Sequence, residues 1–220
     1  MLFQILVDYR AAILGGLRVT LDLCLVAWAA GVVLGTLAGT AANRWRATVG
    51  WPVRGAAFVL SSVPVLVLLF WLHYPLQSML GVVFDPFYTA AGALALVNVV
   101  SVADLVATAL RDFPTQYITA ARVCGLSPAE TARRIQLPIV LRQILPGLLV
   151  RQVAVLQASL FASLISVDEI FRVAQRINAM VYRPVEVYTG LACFFLIICL
   201  PLNGLAAYLE ARFTRDLSET

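Results

Sequence analysis

Five long apolar stretches separated by polar ones give the chain its pattern. They fall at about residues 18–42, 52–74, 87–110, 146–167 and 187–207. Each reaches the ~20 residues that a helix needs to cross a bilayer. Ahead of them, Leu2, Ile5, Leu6, Tyr9 and Ile13 recur at helical spacing among Gln4, Asp8 and Arg10. This predicts a short interfacial amphipathic helix over residues 1–14, with a turn at Gly15-Gly16. In the first stretch Gly31, Gly35 and Gly39 stand four apart, a ridge against which another helix can pack closely. Pro64 interrupts the second stretch and predicts a kink. Asn98, Ser101 and Asp104 share one face of the third. The fourth carries Arg151, Gln152, Gln157, Ser159, Ser163 and Ser166 and should line the interior. Asp168 to Glu186 reads as a polar connection, and residues 211–220 as a charged tail.

The segment between the third and fourth stretches, residues 111–145, has its own local chemistry. Ser127-Pro128-Ala129-Glu130 is a helix start, with a serine cap, a first-turn proline and a glutamate that closes a capping box. Gly125 suits the end of the helix before it. The segment therefore reads as helix, glycine, helix.

Composition turns the pattern into a class. Hydrophobic residues make up 61% and charged residues 13%, with a mean hydropathy of +0.90, where soluble domains carry about 25% charged residues. The expectation is an all-α polytopic membrane bundle of about five transmembrane helices, residues 15–210 forming one domain. The net charge of +4 is made by arginine alone. Arg44, Arg46, Arg54, Arg111, Arg122, Arg133, Arg134, Arg142, Arg212 and Arg215 fall on one side of a five-span arrangement; Arg10, Arg172, Arg176 and Arg183 fall on the other. The arginine-rich side is cytoplasmic, so the C-terminus is placed inside and the N-terminus outside. This accounts for the basic pI without nucleic acid. No basic region and cleavage site frame the first residues, so they are expected to be retained. Cys24, Cys124, Cys193 and Cys199 form no CxxC pair and no cluster with His73, and read as small buried hydrophobes. His73 has no evident serine or cysteine partner, which argues against an intramembrane enzyme. No lysine exists to complete a P-loop.

The central loop resembles the cytoplasmic motif of permease subunits of bacterial ABC importers, written EAA, three residues, G, nine residues, I, one residue, LP. Here Thr119-Ala120-Ala121 is followed at those spacings by Gly125, Ile135, Leu137 and Pro138, with Thr119 in place of the glutamate. Gly16 to Leu21, Val63-Pro64-Val65-Leu66 and Ser163 to Ile170 are similar to segments of the polar amino-acid uptake subfamily, and Asp104 stands where that subfamily often has a glutamate. The resemblance implies a permease subunit of a type I importer that moves a polar amino acid or related small solute. It implies partners as well: a cytoplasmic ABC ATPase dimer holding ATP and Mg, a second permease subunit, and an extracytoplasmic solute-binding protein, all at the bacterial inner membrane. It implies no cofactor on this chain. Thr119, Ala120, Ala121, Gly125, Ile135, Leu137 and Pro138 would couple to the ATPase, with Arg122, Arg133 and Arg134 either paired to it or serving only as cytoplasmic charges. Pro64, Asn98, Ser101, Asp104, Gln157, Ser159 and Ser163 would line a substrate pathway or bond helix to helix. Asp104 alternatively partners Arg151. Asp168, Glu169, Arg172 and Arg176 would meet the binding protein, or form i,i+4 pairs on a solvated loop. The subfamily's charged positions are neutral at Ser61-Ser62-Val63, Ala107-Thr108-Ala109 and Gln157-Ala158-Ser159. This suggests one half of a heterodimer; a structural or assembly subunit without substrate contact, and an importer of a non-amino-acid solute, stay open.

Overall fold

In a computed structural model describing residues 2–218, the chain is helical throughout, with no strand among the described residues. After α1 (Leu2–Asp8), α2 runs unbroken from Arg10 to Arg44. The turn expected at Gly15-Gly16 does not form. Gly16 stays helical because another element needs its bare surface: a Cβ there would sit 2.7 Å from Val173. At 1.5 Å per residue α2 spans ~52 Å, well beyond a ~30 Å hydrocarbon layer.

The second apolar stretch is two helices, α3 (Arg46–Ser62) and α4 (Val65–Leu80), bent by 99° at Val63 and Pro64. Proline cannot donate to the preceding turn, and Val63 is extended, as a residue before proline prefers. The break is thus sharper than the expected kink. α5 (Pro86–Arg111) is the central helix and packs on α2, α3, α4 and α7. Asp85 caps its start by accepting from the Phe87 N–H at 2.8 Å. Its alanines Ala90, Ala91, Ala93 and Ala103 are buried, which brings neighbouring backbones close. At its N-terminal end, Gln77 of α4 bonds Thr89 (3.0 Å) and the Phe84 N–H (2.8 Å), with His73 beside them.

α6 (Thr115–Val123) precedes α7 (Pro128–Ile165), a single helix of 38 residues. The expected boundary between loop and fourth span near residue 146 is absent, because Pro146 is accommodated inside the helix. The polar connection contains α8 (Ile170–Val181), an amphipathic helix whose Ile170, Val173, Ala174 and Ile177 are buried. α9 (Pro184–Ser218) closes the bundle against α7. Among the described residues, four helices are long and apolar enough to cross a membrane, or five when the bent pair is taken as one span.

Candidate functional site

The helix–glycine–helix loop is built as a platform. α6 ends in a left-handed residue, Gly125 (φ 77°). Gly125 N–H donates to the Arg122 carbonyl and Leu126 N–H to the Ala121 carbonyl, at 3.1 and 3.0 Å. This paired closure, a Schellman motif, needs glycine because a Cβ is disfavoured at that φ. Among the described residues nothing beyond the chain neighbours lies within 4 Å of where a Gly125 Cβ would be, so its conformation demands the glycine. Two residues on, Ser127 Oγ accepts from Glu130 N–H at 3.3 Å, while Ser127 N–H and Oγ donate to Glu130 Oε2 at 3.1 and 2.7 Å.

One face of α6 is anchored. Ala121 is buried, and Phe113, Tyr117 and Ile118 pack with Ile135 on a cluster of Val102, Val106, Ala109, Val140 and Ile144 from α5 and α7. The opposite face presents Thr119, Ala120 and Arg122, together with Val123, which is 83% exposed. Val123 was not among the motif positions; the signal for it is an apolar residue three after Ala120, off the anchored stripe. Thr119 Oγ1 donates back to the Thr115 carbonyl at 3.1 Å. Arg134 reaches Glu130 at 3.8 Å, and Arg133 is exposed. Leu137 and Pro138 are exposed, directly after a widened π turn at Ala132–Gln136. Such a turn gives room for a ring that cannot join the helical ladder.

A second feature lies where α3 breaks. An open cavity of about 380 Å³ is lined by Arg54, Phe58, Ser61, Ser101, Asp104 and Arg151, among others. Arg151 is held by its Nε donating to the Ser101 carbonyl at 3.1 Å and Nη1 to the Gly147 carbonyl at 3.4 Å. A smaller cavity of about 110 Å³ adjoins it through Val97, Ser101 and Arg151, and is also lined by Asn98.

The pathway residues expected from sequence therefore divide. Ser101 and Asp104 line the larger cavity, and Pro64 makes the break beside it. Asn98 is buried; its Nδ2 donates to the Ala27 carbonyl (2.9 Å) and Gln152 Oε1 (3.0 Å), tying α2, α5 and α7 together. Ser159 and Ser163 are buried and donate to carbonyls three residues back, Leu156 and Leu160. Gln157 is exposed beside Cys199 of α9 and lines neither cavity. Arg151 stands beside Asp104 in the lining, as the sequence reading allowed, whereas Arg54 and Ser61 join the cavity unanticipated, since sequence shows no contact between segments so far apart.

At the other end, Asp168 pairs with Arg172 at 3.2 Å and also with Arg176. Arg172 further donates to the Ser163 carbonyl at 2.9 Å. Glu169 is not a surface group. It is fully buried, caps α8 by accepting from Phe171 and Arg172 N–H (2.9 and 2.8 Å), and burial pushes its carboxyl up to about 7. Cys24 and Cys199 are buried as expected, but Cys124 and Cys193 are exposed.

Comparison with known proteins bears on these features. Residues 31–215 match the family described as the binding-protein-dependent transport system inner membrane component. The chain is similar to the octopine transport system permease protein OccM of Rhizobium meliloti, at 31% identity over 209 residues, covering 91% of this chain and 83% of that protein. It is also similar to the glutamine transport system permease protein GlnP of Escherichia coli, at 29% over 202 residues, covering 90% of each. Its fold is that of a chain in the crystal structure of an amino acid ABC transporter with histidines, with a TM-score of 0.82 at 24% identity over 94% of this chain and 96% of that one.

Proposed function

This chain belongs to the family of binding-protein-dependent transport system inner membrane components, and we propose that it carries a polar amino acid or related small solute into the cytoplasm as a permease subunit of an ABC importer. The observation that carries the mechanism is the platform of α6. Its anchored face reaches both α5 and α7, while its free face offers Thr119, Ala120, Arg122 and Val123 to a partner. We read that partner as a cytoplasmic ATPase dimer, which binds ATP and Mg and closes on them.

Closure would push α6, and α6 would move α5 and α7 through the cluster around Val106 and Ile144. Because α7 is one helix from Pro128 to Ile165, displacement at its loop end is transmitted along its whole length. Alternating access then follows as rigid-body movement of one helix group against another. The arginine distribution supports a cytoplasmic position for this loop and for the C-terminus, and an outer position for the N-terminus and α8. A solute-binding protein would dock outside, near Asp168, Arg172 and Arg176. The cavity with Arg54, Asp104 and Arg151 serves as the substrate site. The neutral residues at Ser61-Ser62-Val63 and Ala107-Thr108-Ala109 favour a second, different permease subunit as the other half.

Affinity purification of the tagged chain, co-expressed with its candidate ATPase, tests the coupling role. The ATPase should co-purify with the wild type, and Gly125→Trp should lose it while remaining membrane-inserted. Absence of any co-purifying ATPase would remove the importer reading.

A further inference from the structure

The larger cavity carries charges that do not cancel. Its lining includes two guanidiniums, Arg54 and Arg151, and one carboxylate, Asp104; the polar residues completing it, Ser61 and Ser101, are neutral. None of the three charged groups belongs to an ion pair among the described residues, where the paired arginines are Arg18, Arg111, Arg134, Arg172, Arg176 and Arg183. Arg151 spends donors on the Ser101 and Gly147 carbonyls, which fixes its direction. A guanidinium has five N–H groups, so others remain for a ligand. Ionisable groups within a spanning helix mark a functional site; Asp104 and Arg151 lie on such helices, and Arg54 on α3 is exposed.

From this balance we infer that the site takes an amino acid with two carboxylates and one ammonium, the acidic class. The inference rests on reading the cavity as the substrate site. A neutral-side-chain amino acid brings no net charge and leaves one positive charge uncompensated. A basic one makes the excess larger. A dicarboxylic one brings a single negative charge and closes the balance. The chemistry of the groups agrees with that count. Guanidiniums suit carboxylates through paired N–H···O bonds, and Asp104 suits an ammonium. A second acceptor stands close by: Asn98 is 1% exposed, lines the adjoining cavity, and its Oδ1 accepts no hydrogen bond. The volume of about 380 Å³ falls within the usual range for small-molecule sites. Arg151 lies on α7, the helix continuous with the coupling loop, so a carboxylate would be held on the element the ATPase displaces.

The test uses the permease–ATPase complex in lipid nanodiscs without the binding protein, whose own selectivity would mask that of the cavity. Equilibrium binding of radiolabelled glutamate, glutamine and arginine is measured for the wild type and for Arg54→Gln, Arg151→Gln and Asp104→Asn. Each variant is first checked for co-elution with the ATPase; Arg54 is exposed, so its substitution keeps the test available should Arg151→Gln fail to assemble. Glutamate should bind about ten- to a hundredfold tighter than glutamine, the value of one charge-assisted contact. Arg54→Gln should erase most of that preference. Glutamine or arginine binding as tightly as glutamate, and weakened by Asp104→Asn, would overturn the acidic class while keeping the cavity as the site. Binding indifferent to all three substitutions, or no binding of any of the three, would overturn the cavity reading itself.

Discussion

Gly31 and Asn98 interlock: a Cβ on Gly31 would lie 2.1 Å from Asn98 Nδ2 and 2.4 Å from its Cγ. The missing side chain of one is the space occupied by the amide of the other. That amide holds α2 to α5 and α7. Gly31→Ala should therefore destabilise the purified protein by about 1–3 kcal/mol, the usual cost of overpacking. Asn98→Ala removes two bonds that in membranes are worth about 0.6 kcal/mol each. The double variant should lose less than the two singles summed, because removing the Asn98 amide vacates the space that a methyl group on residue 31 needs. Thermal unfolding in detergent of the four proteins checks the cycle.

Gly39 faces a harder wall. A Cβ there would lie 2.6 Å from the Ala103 carbonyl oxygen, and backbone cannot rotate away. Gly39→Ala should cost more than Gly31→Ala, and trimming Val106 to alanine should not rescue it. Gly204→Ala is the control, since no described residue outside its own helical turn lies within 4 Å of an added Cβ. It should be neutral or stabilising by up to about 1 kcal/mol, the helix preference of alanine over glycine.

At Gly125 the constraint is backbone direction. Asparagine, which tolerates φ above zero, should keep most coupling activity. Valine should cost about 1–2 kcal/mol locally and break the turn that aims α6. ATPase activity stimulated by the binding protein, measured on each variant, separates the two.

Glu169 gives the protein a pH dependence opposite to that of most carboxylates. Its folded-state pKa, about 7, lies above the ordinary 4.5, so the folded protein holds this proton more tightly than the unfolded chain. Its stabilising share is full below about pH 4.5 and is lost as pH rises through about 7. At 1.36 kcal/mol per unit, the loss is on the order of 3 kcal/mol. Glu169→Gln should flatten the melting temperature between about pH 4.5 and 7, the window those two values bracket.

How far this was legible in the sequence depends on how local each cause is. The turn at Gly125 and the Ser127–Glu130 box are set by neighbours within a few residues, and both stand where spacing predicted. The Gly31, Gly35 and Gly39 ridge also announced a close helix contact, though not that Asn98, Val102 and Ala103 supply the other side. α8 was present as Ile170, Val173, Ala174 and Ile177 at helical spacing, but the charges between them gave the segment a loop-like composition. Gly15-Gly16 and Pro146 resemble punctuation, yet packing against Val173 and continuity through α7 override them. The cavity was least legible. Arg54 counted only as a loop charge and Ser61 only as a departure from the subfamily, because nothing local places them beside Asp104 and Arg151.

Uptake of labelled amino acid into proteoliposomes, with the complete importer, binding protein outside and ATP sealed inside, tests the central claim most directly. Wild-type complex should accumulate label only with ATP, and Gly125→Val should abolish uptake while the permease itself stays folded and inserted in the liposomes. Undiminished ATP-driven uptake by Gly125→Val, or uptake that needs no ATP, would contradict the role assigned to the loop.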